Sequence, residues 1–464
     1  MGSVQIKKIL WLSILFYSGI VLSFKHCGEF DGDSVTQQKI FGIEKRLGFE
    51  SKLEQLFDGF NQKDPIEMYR ALEILRNVKI NESAEFANNN VMRTIPDRIN
   101  AQGYPAEVHS VETSDGYLIK LYRIPSSPKS PETNKTKPAV LMMHGFMEIS
   151  NCFIVLGSEH SIAYLLADAG FDVWLGNARG TDPSLAHISF DPNGKGQKDF
   201  WSYTWHEIGL YDISASIDRI LSVTNHKKIN YLGHSQGASG FMVLLSMRPE
   251  YNNKINEANL LAPAVYLKNI RNPFFKVISD FYRPLKAAAA ALRIHKINFN
   301  HDILIKIAEF ACKKAQITTP LKCKFIMSIL YSDQINCTNL PDILEFTPSG
   351  SSTKQGLHYL QLIRSGEFRQ FDYESPRLNR KAYGRSTPPI YNLTQITAPI
   401  NIFYSKDDSI TTYENVMKLQ SLLPNVKQSY IVPISNFEHV DFLYSRHVRK
   451  VLNEKIVETI KNAN

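Results

Sequence analysis

The chain has 464 residues, of which 43% are hydrophobic, 11% aromatic and 21% charged, and its formal net charge is +8. This composition excludes a disordered, collagenous or disulfide-dense protein, and the length allows one large domain with insertions or two ordinary domains. The basic residues are scattered without a run of five or six, so we predict no nucleic-acid partner; no protein partner is predicted either.

The N-terminus, residues 1–23, predicts a secretory signal peptide. Lys7 and Lys8 precede an apolar stretch from Ile9 to Leu22, and the small residues Val21 and Ser23 suit a signal-peptidase site. The apolar stretch is shorter than the roughly 20 residues that span a membrane. We therefore favour cleavage near Ser23 over an uncleaved anchor.

A secretory route predicts an oxidising compartment, with secretion or lysosomal delivery as the destination. The chain has five cysteines, an odd number that leaves at least one thiol unpaired, and the first choice for a disulfide is Cys312 with Cys323. Glycosylation is predicted at four sequons, which begin at Asn81, Asn134, Asn336 and Asn392.

Residues 24–90 read as a polar N-terminal extension of unknown role, after which strands and helices alternate. The predicted strands are Val108–Glu112, Tyr117–Ile124, Pro138–Met143, Phe171–Leu175, Ile229–Leu232, Ile400–Tyr404 and Ser429–Ile434. The predicted helices are Ser161–Ala169, Asp212–Val223, Ala238–Met247, Tyr413–Leu423 and Val448–Ile460. Strands alternating with helices predict an α/β fold with a parallel sheet and right-handed crossovers. We assign one α/β domain to 91–262 and 386–464, interrupted by a mixed, aromatic-rich insertion at 263–385.

The strongest chemical motif is Gly233-His234-Ser235-Gln236-Gly237, which lies between a predicted strand and a predicted helix. This is the G-x-S-x-G pattern of a nucleophile elbow, in which a strained turn projects the serine hydroxyl. Side chains two positions either side of the serine would collide with neighbouring backbone, which explains the glycines Gly233 and Gly237. The pattern predicts Ser235 as a nucleophile.

A serine nucleophile needs a base, and the base needs an acid that orients it. In this topology the acid follows a late strand and the histidine follows the next strand. Asp407 and Asp408 both follow the strand that ends at Tyr404, and His439 follows the strand that ends at Ile434. We prefer Asp408, and the pattern leaves Asp407 open.

The tetrahedral intermediate of acyl transfer needs two backbone N–H donors. One is predicted at Gln236, the residue after the serine. The other is predicted at Phe146, in the loop His144-Gly145-Phe146 that follows an early strand.

Several stretches resemble the acid lipase family that includes gastric and lysosomal acid lipases, in particular its insect members. The matching stretches are Gly103–Pro105, Ser114–Tyr117, His144-Gly145, Ala163–Gly180, Phe200-Trp201, Gly233–Gly237, His358-Tyr359, Phe371–Tyr373 and Glu438–Phe442. The resemblance implies an α/β-hydrolase fold with a cap and lid inserted before the acid. It also implies Ser235, Asp408 and His439 as the triad, Phe146 and Gln236 as oxyanion donors, and a cap disulfide that fits Cys312 and Cys323.

We therefore predict a secreted serine lipase that hydrolyses carboxylic esters of lipids, most simply acylglycerols, at a membrane or droplet interface. No metal or cofactor is required. The enzymatic alternatives are a sterol-ester or retinyl-ester hydrolase or an acyltransferase. The alternative from another class is a non-catalytic lipid-binding protein on the same fold.

Overall fold

A computed structural model describes residues 94–131, 136–298, 332 and 334–464. Its strands are β1 (Glu107–Glu112), β2 (Leu118–Ile124), β3 (Ala139–Met143), β4 (Asp172–Gly176), β5 (Ile229–His234), β6 (Ile255–Leu261), β7 (Lys296–Ile297), β8 (Ser351–Ser352), β9 (Ile400–Tyr404) and β10 (Val426–Ile431). Its α-helices are α1 (Ile95–Ala101), α2 (Ile162–Asp168), α3 (Gln197–Phe200), α4 (Trp205–Glu207), α5 (Ser214–Thr224), α6 (Gln236–Met247), α7 (Pro273–Asp280), α8 (Tyr282–Ala291), α9 (Leu340–Leu344), α10 (Thr353–Ser365), α11 (Pro376–Tyr383), α12 (Tyr413–Leu422), α13 (Asp441–Tyr444) and α14 (Glu454–Asn462). Two π-helices lie at Ile208–Ile213 and Arg449–Asn453.

Within the described residues, eight strands form one sheet in the order β1-β2-β4-β3-β5-β6-β9-β10. The pairs β1–β2 and β2–β4 are antiparallel, and every later pair in this order is parallel. Strands β7 and β8 pair separately and antiparallel. The predicted α/β fold with a mostly parallel sheet is confirmed.

The middle of the sheet is covered on both faces. Every residue of β3, β4, β5 and β9 is buried, as expected for parallel strands flanked by helices. Helices α5 and α6 pack with the first π-helix, whereas α2 packs with α14. The edge strand β10 alternates between half-buried and exposed residues.

Differences from the prediction are found in β6, in β10 and in the helix predicted from Asp212. Strand β6 was not predicted because polar residues interrupt its apolar pattern; one of them, Asn259, is buried and accepts a hydrogen bond from Asn401 of β9 at 3.1 Å. Strand β10 lies three residues before the predicted Ser429–Ile434. The helix predicted to begin at Asp212 begins earlier, as a π-helix at Ile208–Ile213.

A buried cation lies beneath the turn of the β1–β2 hairpin. The Arg179 side chain is 1% exposed; its Nε donates to Asp212 at 2.8 Å and its two terminal nitrogens donate to Asp115 at 2.5 and 2.9 Å. Both carboxylates satisfy the fork of donors that a guanidinium presents. Arg179 therefore connects the hairpin turn to the first π-helix.

The described part of 263–385 lies between β6 and β9 and consists of α7 to α11 with the small β7–β8 ribbon. In the described residues no helix is long and apolar enough to cross a membrane. The signal peptide, the 24–90 extension, Cys312, Cys323, Asn81 and Asn134 lie outside the described residues.

Candidate active site

Ser235 forms the turn between β5 and α6. Its backbone has φ 51° and ψ −106°, a conformation that non-glycine residues rarely adopt and that costs about 1–3 kcal/mol. A Cβ at Gly233 would lie 2.8 Å from the Gly237 backbone, and a Cβ at Gly237 would lie 2.3 Å from the carbonyl oxygen of Met143. The glycines are therefore required by close backbone approach, while the unusual φ belongs to the serine itself.

Three predicted residues, distant in sequence, form one hydrogen-bonded chain. The Ser235 Oγ lies 2.8 Å from His439 Nε2, and His439 Nδ1 lies 2.9 Å from Asp408 Oδ2. Asp408 follows β9, Ser235 follows β5, and His439 lies in the loop after β10. Because the carboxyl ends of parallel strands share one edge of the sheet, these loops meet there.

Asp408 is the aspartate that contacts His439. It is fully buried, and its Oδ1 accepts the amides of Ile410 and Thr411, both at 2.8 Å, while its Oδ2 accepts the Thr411 hydroxyl at 2.5 Å. Asp407 is exposed, and its carboxylate instead accepts the Asn436 amide at 2.8 Å. The neighbouring aspartates therefore have different surroundings, and Asp407 holds the histidine loop rather than the ring.

The charges around His439 favour proton uptake by its imidazole. Burial alone would lower the pKa of His439, but the hydrogen-bonded Asp408 carboxylate, with Glu148 and Glu438, raises it above the ordinary value. Burial alone would raise the pKa of Asp408, but His439 and the Thr411 and Ile410 donors hold it below the ordinary value. Asp408 therefore stays ionised beside an imidazole that is a stronger base than histidine in water.

The loop after β3 holds the peptide whose N–H belongs to Phe146. The Ala178 amide donates to His144 Nε2 at 3.1 Å, so the His144 proton is on Nδ1, and Nδ1 donates to the Gly145 carbonyl at 2.8 Å. That carbonyl and the Phe146 N–H belong to one planar peptide and point in opposite directions. His144 therefore fixes the direction of the first predicted oxyanion donor.

The second predicted donor, the Gln236 amide, is the first N–H of α6 and has no acceptor within its own helix. The hydrogen bonds of the described residues engage neither this amide nor that of Phe146. Both N–H groups are therefore available to a ligand oxygen, with the positive end of the α6 dipole behind Gln236.

Helix α10 contacts the side chains of both predicted donors. The Tyr359 ring lies 5.2 Å from the Phe146 ring, and the Gln355 side-chain amide donates to the Gln236 side chain. The Gln355 oxygen is buried without a hydrogen-bond partner among the described residues. One helix of 263–385 therefore lies directly against the oxyanion region.

Sequence reasoning missed three side chains of this region, namely Thr411, Gln355 and Glu148. Thr411 lies three residues after Asp408, a spacing that could have indicated a hydroxyl donor. Gln355 and Glu148 gave no sequence signal, because their side-chain partners Gln236 and His234 are 119 and 86 residues away along the chain. Cys152 is a buried free thiol. Over the described ranges, no cluster of three or more His, Cys, Asp or Glu could hold a metal ion.

A mostly parallel sheet with a serine elbow and an Asp-His pair at its carboxyl edge is the arrangement of the α/β-hydrolase fold. The family model for the alpha/beta hydrolase fold matches residues 138–445, and the partial alpha/beta-hydrolase lipase region matches residues 95–157.

Three relatives cover most of this chain. Lipase 1 of Drosophila melanogaster is 37% identical over 361 residues, which is 77% of each chain. Lipase 3 of Drosophila melanogaster is 35% identical over 79% of this chain and 92% of its own. Gastric triacylglycerol lipase of Bos taurus is 31% identical over 80% of this chain and 91% of its own. The chain therefore belongs to the acid lipase family of α/β-hydrolases and is a carboxylic ester hydrolase.

Proposed function

We propose that this protein is a lipase that hydrolyses the ester bonds of acylglycerols, with Ser235 as nucleophile, His439 as general base and Asp408 as the orienting acid. The observation that carries the proposal is the continuous chain of hydrogen bonds, 2.8 and 2.9 Å long, from the serine hydroxyl through the imidazole to a buried carboxylate. The acylglycerol substrate is supported by the similarity to a gastric triacylglycerol lipase.

The geometry supports a two-step acyl transfer. His439 Nε2 takes the Ser235 proton as Oγ bonds to the ester carbonyl carbon. The resulting oxyanion accepts hydrogen bonds from the backbone N–H groups of Phe146 and Gln236. The carbonyl re-forms, the C–O bond to the alcohol breaks, and His439 returns the proton to the leaving alcohol. Water then attacks the acyl-enzyme by the same route and releases the fatty acid.

We further propose that 263–385 is a cap over the site and that the substrate is met at a lipid surface. The contacts of α10 with the oxyanion residues support the cap. Three large apolar side chains in or near α7 and α8 are 41–58% exposed and support contact with lipid: Phe281, Leu292 and Ile294. Phe281 precedes α8, and Leu292 and Ile294 follow it, so exposed apolar side chains lie at both ends of this helix.

A secretory route is proposed from the signal-peptide pattern and the sequons. Asn336 and Asn392 are exposed, so both are accessible for glycosylation. Digestion of protein from a eukaryotic secretory host with an endoglycosidase should lower its apparent mass. An unchanged mobility, or retention of the chain inside the cell, would count against this part of the proposal.

The decisive experiment is release of fatty acid from emulsified long-chain triacylglycerol between pH 4 and 9. Wild type should be active, and Ser235→Ala should lose activity by at least about 10⁴-fold. Ser216→Ala is a matched control, because Ser216 is also a buried serine but donates to the Asp212 carbonyl of its own helical segment. This control should stay within about threefold of wild type.

Other substrates separate the alternatives. Cleavage of a sterol or retinyl ester, with no cleavage of triacylglycerol, would overturn the acylglycerol assignment but not the assignment of Ser235 as nucleophile. Cleavage of short soluble esters alone would identify the protein as an esterase and not a lipase. Failure on every ester, with no labelling of Ser235 by a fluorophosphonate, would favour a non-catalytic lipid-binding protein.

A further inference from the structure

Glu148 is a buried carboxylate beside the site that has no part in the two-step acyl transfer. It lies in the loop after β3, and its Oε2 accepts the Gly145 amide at 2.7 Å and lies 3.1 Å from His234 Nδ1. Its Oε1 accepts the Tyr444 hydroxyl at 3.3 Å. Burying a charge is costly unless donors compensate it, and Gly145, His234 and Tyr444 surround the Glu148 carboxylate.

His234 extends the contact to the loop that carries the base. Its Nε2 lies 3.2 Å from the carbonyl oxygen of His439, and the two imidazole centroids are 5.1 Å apart. A carbonyl oxygen and a carboxylate oxygen only accept, so both ring nitrogens of His234 donate, Nε2–H to His439 and Nδ1–H to Glu148. His234 precedes Ser235 directly, so the same imidazole lies in the elbow itself.

The contacts of Glu148 therefore reach three loops. The loop after β3 is held through the Gly145 amide, the elbow through the His234 ring, and the loop after β10 through the bond from that ring to His439. The backbone of Gly145 makes two hydrogen bonds, because its N–H donates to Glu148 and its carbonyl accepts from His144. The Phe146 amide is the next donor along this backbone.

We propose that Glu148 is a positioning residue that keeps the oxyanion donor at Phe146, the nucleophile and the base at fixed separations, acting through Gly145 and His234. The inference rests on the proposed function and adds a residue to it. Glu148 touches no reacting atom, and its effect passes entirely through the groups it binds. Errors of about 1 Å in such separations cost about 10²-fold in rate, so the expected effect is large.

The charge state of Glu148 agrees with this role. Burial alone would raise the pKa of the Glu148 carboxyl, but His234, His144 and the Gly145 amide hold it below its ordinary value. Glu148 is therefore ionised at neutral pH, and both of its oxygens can accept hydrogen bonds.

The test compares Glu148→Ala with Glu148→Gln in the full-length protein, using a soluble ester. Active sites are counted by fluorophosphonate titration, so that kcat refers only to folded, competent enzyme. Glu148→Ala should lower kcat per site by about 30- to 100-fold with KM changed less than about threefold. Glu148→Gln keeps an oxygen that can accept from Gly145 and His234, and it should recover most of that loss.

A second measurement reads the oxyanion donors directly. A trifluoromethyl ketone forms a tetrahedral adduct with the serine, so its affinity should fall in Glu148→Ala by the same factor as kcat. A purely structural role would lower the melting temperature and the number of titrated sites, but would leave kcat per site and this affinity unchanged.

Glu257→Ala is the matched control. Glu257 is also a buried glutamate, but it lies within β6, four residues before the strand's carboxyl end, and is near Asn259 rather than a site loop. It should lose stability without losing kcat per site. In the double variant Glu148→Ala/His234→Ala, kcat per site should be little lower than in the more impaired of the two single variants, because the two residues act as one unit.

The outcomes are separable. If wild type cleaves no ester, the proposed function fails first. If wild type is active and Glu148→Ala retains kcat per site and ketone affinity, or if the double variant shows additive losses, the positioning role is wrong while the function stands.

Discussion

Replacing Asp408 with asparagine tests the proposed triad at its most constrained group. The carboxylate accepts four hydrogen bonds: two backbone amides bind Oδ1, and the Thr411 hydroxyl and His439 Nδ1 bind Oδ2. An asparagine offers one oxygen and one NH₂ group. The two backbone amides cannot become acceptors, so the oxygen must take the Oδ1 position and the NH₂ group must face Thr411 and His439.

This orientation of the asparagine changes the tautomer of the His439 imidazole. An NH₂ group donates to His439 Nδ1, so the ring proton moves to Nε2, which then faces Ser235 with a hydrogen instead of a lone pair. The base cannot accept the serine proton in that tautomer. We expect kcat to fall about 10⁴-fold, or about 5.5 kcal/mol of transition-state stabilisation.

The assay is hydrolysis of a soluble ester at pH 8, normalised to folded protein by circular dichroism. Asp407→Asn is the matched control, because the neighbouring aspartate is exposed and the new amide oxygen can still accept from Asn436. The control should stay within about threefold of wild type. A loss below tenfold in Asp408→Asn, or a comparable loss in both variants, would refute the reasoning.

Two other predictions concern pH and stability. The pKa of His439 is raised above 6.5, and a protonated imidazole cannot act as a base. The pH profile of kcat/KM on a soluble ester should therefore have its acidic midpoint above pH 6.5 and fall tenfold per pH unit on the acid side of that midpoint. A midpoint below pH 6.5 would contradict this. Arg179→Ala leaves Asp212 buried without its guanidinium and should lower the free energy of unfolding in urea by about 3–5 kcal/mol, whereas a change below about 1 kcal/mol would mean that water or another cation compensates.

The strands of the sheet were most predictable where burial makes a continuous apolar run, as in β3. Strand β6 was not, because its polar residues form hydrogen bonds with neighbouring strands that a linear pattern does not contain. The shift of β10 arises at an edge strand whose residues alternate only between half-buried and exposed. The π-helix at Ile208–Ile213 has no recognised sequence pattern, since one helical register differs from another by a single residue.

The candidate site was predictable where chain order and local chemistry coincide. The elbow follows from glycine spacing between a strand and a helix, and His439 follows from its place after a late strand. The choice between Asp407 and Asp408 depends on which side chain turns inward, a question of burial that residue spacing left open. Glu148 and Gln355 have side-chain partners, His234 and Gln236, that only the fold brings close, so no pattern along the chain indicated them.

The adjacency of β6 and β9 has a consequence for the segment between them. The chain leaves the sheet after Leu261 and returns at Ile400, which pairs with Ala258 on the neighbouring strand, so these two points lie only about 11 Å apart, however long the excursion is. Because the entropy of closing a loop grows by only about 0.6 kcal/mol for each doubling of its length, insertions there cost the sheet little. This connection can therefore change in length and shape over evolution, or in a chimaera with a relative, while the register beneath the catalytic loops is preserved.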